Sequence, residues 1–153
     1  MQHNTDTLYN TIIGGGISAL AYLIGGIDQL ATALGIFMIS DYLTGWMVAI
    51  YRKNFNSAVG FRGIMKKTAM IFAVIMAVQL DLISGGGQFM RNMMIMFLIG
   101  MEGISIIENL GHLGVNVPRQ ISAVFAQLKE DPAAKIQPQA KNKQSDIEDG
   151  GVK

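Results

Sequence analysis

Cysteine is absent from this 153-residue chain. That excludes a disulfide framework, a thiolate metal site and a thiol nucleophile. Charge is scarce too: 15% of residues are charged, against about 25% in soluble domains. Twelve Lys and Arg against eleven Asp and Glu leave a net charge of +1, so no nucleic acid or other polyanionic partner is implied. His3 and His112 are isolated. No phosphate-binding glycine pattern sits in a strand–turn–helix context, and the acidic residues are too scattered for a paired general acid and base. The chain reads as non-enzymatic, without cofactor or metal.

What is present is hydrophobicity. Half of the residues are hydrophobic and the mean hydropathy is +0.35. Eighteen Gly and eleven Met suit helices packed in lipid, where Gly is frequent and Met fills irregular gaps. The charge is missing from four long stretches and gathered in one loop and a tail. A spanning helix needs roughly 20 mostly apolar residues. Candidates run over about Leu8 to Ile27, Leu30 to Tyr51, Ile64 to Ile83 and Arg91 to Leu110. A soluble bundle would show a polar face every 3.6 residues, and Ile12 to Ile27 shows none. The first ten residues carry Asp6 but no Lys or Arg, unlike a cleaved secretory signal, so the first stretch reads as a retained helix. The expected fold is all-α: an integral membrane bundle of about four transmembrane helices in residues 1–130. It includes a C-terminal amphipathic helix, and a disordered polar tail follows over 131–153.

The loops set orientation. Arg52, Lys53, Arg62, Lys66 and Lys67 lie between the second and third stretches with no acidic residue among them. Basic residues in short loops stay cytoplasmic. The same loop could bind anionic lipid headgroups. With the basic loop and tail inside, four spans put both termini in the cytoplasm; a three-span form is the alternative. After the fourth stretch, Asn116 and Pro118 suit a helix start, and Ile121, Val124, Phe125 and Leu128 follow at helical spacing. This segment is too short to span. It should lie on the inner membrane surface or pack on a neighbouring subunit.

Charges within the stretches are the candidate functional residues. Asp41 is near the middle of the second, with Thr44 and Gly45 beside it. Glu102 is inside the fourth, with Ser105, Glu108 and Asn109 following. An ionised carboxylate at that depth costs about 2.5–3.5 kcal/mol on insertion scales. Asp41 and Glu102 should therefore face protein or water. Two readings stay open: they face one another or a hydrated lumen, or they are neutral hydrogen-bonding groups within one subunit. Asp81 and Glu108 read as solvated helix ends. Small residues repeat every four positions at Ala69, Ala73 and Ala77, at Gly15 and Ala19, and at Ala21 and Gly25. Such ridges let membrane helices approach closely.

Three strings occur in order: Asp41-Tyr42-Leu43-Thr44-Gly45; Ser57-Ala58-Val59-Gly60-Phe61-Arg62-Gly63-Ile64 with Lys66-Lys67; and Glu102-Gly103-Ile104-Ser105-Ile106-Ile107-Glu108-Asn109 with Gly114 and Pro118. Together, over about residues 10 to 130, they resemble the phage holin family that includes the clostridial toxin-secretion holins. The resemblance implies a homo-oligomer in the bacterial cytoplasmic membrane. It would permeabilise the bilayer at a set time so that an endolysin, or a large toxin, crosses and the host lyses. The endolysin would be a functional partner without required contact. Many holins use two neighbouring start codons; here the next Met after Met1 is Met38, inside the second stretch, which argues against that control. The alternative function is a small ion- or proton-coupled transporter, and a third is a scaffold that recruits a cytosolic partner.

Overall fold

A computed structural model describes residues 2–53 and 57–130. The tail expected from residue 131 lies outside the described residues. The chain forms five helices: α1 (Gln2–Leu23), α2 (Gln29–Tyr51), α3 (Ser57–Ser84), α4 (Phe89–His112) and α5 (Arg119–Glu130). Among the described residues there is no strand.

Three of these helices, α2, α3 and α4, are long and apolar enough to cross a membrane. The expected first span differs. Helix α1 begins at Gln2 and stops at Leu23, and Thr5, Asp6, Thr7, Asn10 and Thr11 fall in its first half. The apolar part, Ile12 to Leu23, is only about 18 Å long at 1.5 Å per residue, short of the roughly 30 Å hydrocarbon core. Leu8, Ile12 and Ile17 of α1 are exposed, and Gly15 has open space around it, so among the described residues no helix packs on that ridge.

Helix α4 is the centre of the bundle, packed by α2, α3 and α5. The core comprises Leu34 of α2, Met70 and Val74 of α3, and Ile95, Leu98 and Ile99 of α4. Outward stripes are equally regular. Ile36, Ile39, Leu43, Trp46 and Ile50 on α2, and Phe72, Met76, Leu80 and Ile83 on α3, are all exposed. Their three- and four-residue spacing is one face of a helix. In water such a belt would drive aggregation; in lipid it is the contact with solvent.

Helix α3 starts at Ser57, seven residues before the sequence reading placed it. Nothing in Ser57 to Gly63 breaks a helix outright, since proline is absent there. Among the described residues the basic segment is therefore non-helical only at Arg52 and Lys53; Arg62, Lys66 and Lys67 are helical. Its 28 residues give a length of about 42 Å, longer than the bilayer core.

Helix α5 folds back along α4 rather than lying apart from it. The Phe125 ring meets Phe37 of α2 edge-on, with centroids 5.4 Å apart. Gly100 and Gly103 make this approach possible: a Cβ at Gly100 would lie 2.7 Å from the Lys129 backbone nitrogen, and one at Gly103 would overlap the Phe125 ring.

Candidate functional site

Two polar clusters interrupt the apolar interior. The first joins α2, α3 and α4 near mid-span. The Lys67 ammonium donates to Asp41 Oδ2 at 2.8 Å and to Glu102 Oε2. Glu102 is fully buried. Its Oε1 accepts no hydrogen bond among the described residues, but the Lys66 ammonium lies 3.7 Å away. Asn109 Nδ2 donates to Asp41 Oδ1 at 3.3 Å and to Thr44 Oγ1 at 3.2 Å. The Thr44 hydroxyl in turn donates to the Asp41 carbonyl at 3.1 Å. Ser105 lies near the Asp41 carboxylate. Gly45 faces the Asn109 amide: a Cβ there would be 3.6 Å from it, an ordinary van der Waals contact.

Asp41, Thr44, Gly45, Glu102, Ser105 and Asn109 are thus brought together. Glu108 is not: it is exposed on α4. The two carboxylates do not face each other directly, because Lys67 stands between them. The sequence reading placed Lys67 with the topology-setting loop. The signal for its position is the buried stripe of α3, in which Met70, Val74, Ala77 and Asp81 are buried and Lys67 is the preceding member at helical spacing. That stripe also splits the expected ridge: Ala77 is buried, Ala73 is half-buried and Ala69 is exposed.

The second cluster closes the opposite end of the bundle. Arg91 is fully buried and its guanidinium makes five hydrogen bonds. The acceptors are the Ile24 and Gly26 carbonyls, both carboxylate oxygens of Asp28, and the Asn92 side chain, at 2.6–3.2 Å. Asp28 also caps α2, accepting from the Ala31 amide at 2.8 Å. The Arg91 hydrogen bond is the main reason its carboxyl sits below its ordinary pKa; burial opposes it. Asp81 is buried rather than a solvated end, and its two oxygens accept the Met90 and Arg91 amides at 2.9 and 2.8 Å, capping α4 from α3. Gly25 lies in the turn after α1, not on a helix ridge. Its φ of +79° and a would-be Cβ 2.9 Å from Arg91 mark it as the place where that side chain passes.

The basic end is polar and open. Arg52 donates to His112 Nδ1 at 2.8 Å, tying α2 to α4, and Arg52, Lys53 and Arg62 are exposed. Among the described residues no three His, Cys, Asp or Glu are placed to hold a metal ion.

The chain is similar in sequence to known proteins. Residues 18–130 match the model of the bacteriophage holin family. An uncharacterized protein of Listeria innocua is 38% identical over 107 residues, covering 70% of this chain and 76% of that one. An uncharacterized 14.9 kDa protein of Clostridium perfringens is 36% identical over 108 residues, covering 70% and 82%. A protein of Bacillus phage phi105 named "Probable holin" is 31% identical over 113 residues, covering 74% and 83%. No solved structure matches the chain. With three apolar helices of spanning length and a family match over most of its length, the chain is a membrane protein and belongs to the bacteriophage holin family.

Proposed function

We propose that the chain is a non-enzymatic phage holin. Copies accumulate in the host cytoplasmic membrane, associate, and permeabilise it at a set time. Endolysin, or a large toxin, then crosses. The observation that carries this reading is the Asp41–Lys67–Glu102 cluster inside a bundle whose outer surface is an apolar belt. A buried ion pair is a poor source of net stability, because desolvation cancels much of its attraction. It is a good two-state element: closed, the charges satisfy one another; open, water satisfies them. Assembly past a critical density would let water reach the cluster and favour the open arrangement. Moving one charge through the membrane potential is worth about 2.3 kcal/mol per 100 mV, so energisation can hold the closed state.

The basic end is cytoplasmic in this reading, by the positive-inside preference. Helices α2 to α4 are the permanent spans. Insertion of α1 as a fourth would bring the N-terminus inside; otherwise it stays outside. Reporter fusions at the N-terminus distinguish these.

The test is expression in bacteria with and without a separate endolysin. A holin stops growth and respiration alone, and gives abrupt lysis with the enzyme. Gradual loss of one solute would instead favour an ion- or proton-coupled transporter, which would use the buried carboxylates for coupling.

A further inference from the structure

Helix α5 has a placement that a lipid-surrounded monomer does not accommodate. The Arg52–His112 hydrogen bond marks the polar level at the basic end. Gly100 lies twelve residues before His112 on α4, a depth of roughly 18 Å at 1.5 Å per residue. The α5 end carrying Lys129 packs at that level, against Gly100. Half of a bilayer core is about 15 Å. The docked helix therefore carries Lys129 and Glu130, both exposed, to the membrane centre, beyond the reach of a side chain back to the headgroups.

One face of α5 is seated: Ser122, Phe125 and Leu128 are half-buried. The other face reads Gln120, Ala123, Gln127, Glu130, all exposed, at intervals of three and four that place them along one line. A polar line ending in a charge at mid-membrane depth is tolerated only where it meets water or protein.

We infer that α5 is a re-entrant helix whose Gln120–Gln127–Glu130 face lines water enclosed between copies of this chain. The glycines of α4 are the socket that holds it at that depth. This rests on the membrane-permeabilising reading and names the surface that faces the lumen.

The absence of cysteine makes the test direct. In membranes, the pair Phe37→Cys and Phe125→Cys should be joined by a short bifunctional thiol reagent. A spin label at Gln127→Cys should be several-fold more accessible to a water-soluble nickel chelate than one at the outward-facing Phe72→Cys. Absence of the cross-link would overturn the inference, as α5 would lie elsewhere. A cross-link with a Gln127 label open to oxygen but not to the chelate would overturn it too, as the face would meet lipid. If the paired variant does not fold, the unsubstituted chain supplies the answer. Trypsin applied from the basic side should spare the Lys129–Glu130 bond there and cut it in Gly103→Leu, where the socket is filled. Equal cutting in both would refute docking. Lysis with endolysin, scored on the unsubstituted chain, reports separately on the permeabilising reading.

Discussion

Lys67 of α3 holds Asp41 of α2 at 2.8 Å and binds Glu102 of α4 with the same ammonium. One cation thus ties three spans together at a depth where no bulk water compensates its loss.

Lys67→Met should leave two carboxylates sharing a site without their common partner. Removing one member of a buried ion pair costs about 3–5 kcal/mol. Thermal unfolding in detergent should show that loss, and lysis should begin earlier at equal protein level. Adding Glu102→Gln to Lys67→Met should recover a large part of the stability. An unchanged melting temperature in the single variant would remove Lys67 from its assigned role.

Asp41→Asn keeps the shape and discards the charge. Lys67 still has Glu102, and Asn109 and Thr44 keep a polar neighbour. The expected effect is a shift in lysis time smaller than that of Lys67→Met, read in an inducible host. A normal lysis time at normal abundance would count against Asp41 as part of the timing element.

Arg91→Lys should be poorly tolerated, because an ammonium cannot reproduce the fork that reaches Ile24, Gly26 and Asp28 together. Hydrogen bonds involving charged groups are worth about 1.5–3 kcal/mol each, so loss of even one should lower the melting temperature measurably. Gly25→Ala should act on the same contact, through its positive φ and the clash with Arg91. Combining it with Arg91→Ala should cost less than the sum of the two.

Acid should loosen the α1–α2 turn. The Asp28 carboxyl is held below its ordinary value of 3.8, chiefly by Arg91. A lowered folded-state pKa means the contribution is fully present above the unfolded value and is lost as pH falls through the folded one. Stability should therefore be flat above about pH 5 on this account and decline below it. The check is the difference between the unsubstituted chain and Asp28→Asn, whose acid limb should be shallower.

The sequence reveals the membrane helices because hydropathy over twenty residues is a strong signal, and it reveals Asp41 and Glu102 because an intramembrane carboxylate stands out against it. Lys67 and Arg91 hide for the opposite reason. Each lies near the end of an apolar stretch, where a basic residue ordinarily marks topology, and only the phase of the α3 stripe or the packed α1–α2 turn turns it inward. Helix α1 reads as a span in the sequence because its apolar second half and the turn beyond Leu23 merge into one hydrophobic window. The amphipathic stripe of α5 announces a buried face but not its partner; Gly100 and Gly103, three residues apart, are the only hint that α4 could receive it.

The length of α3 has a consequence of its own. At about 42 Å it exceeds the roughly 30 Å hydrocarbon slab by about two turns, and it carries the Lys67 ammonium. A rod that overhangs its bilayer responds to thickness, by tilting or by dragging its flank inward. Wherever crowded protein thins the lipid, the distance from the aqueous phase to that ammonium shrinks, so the membrane's own calliper width becomes an input to the release.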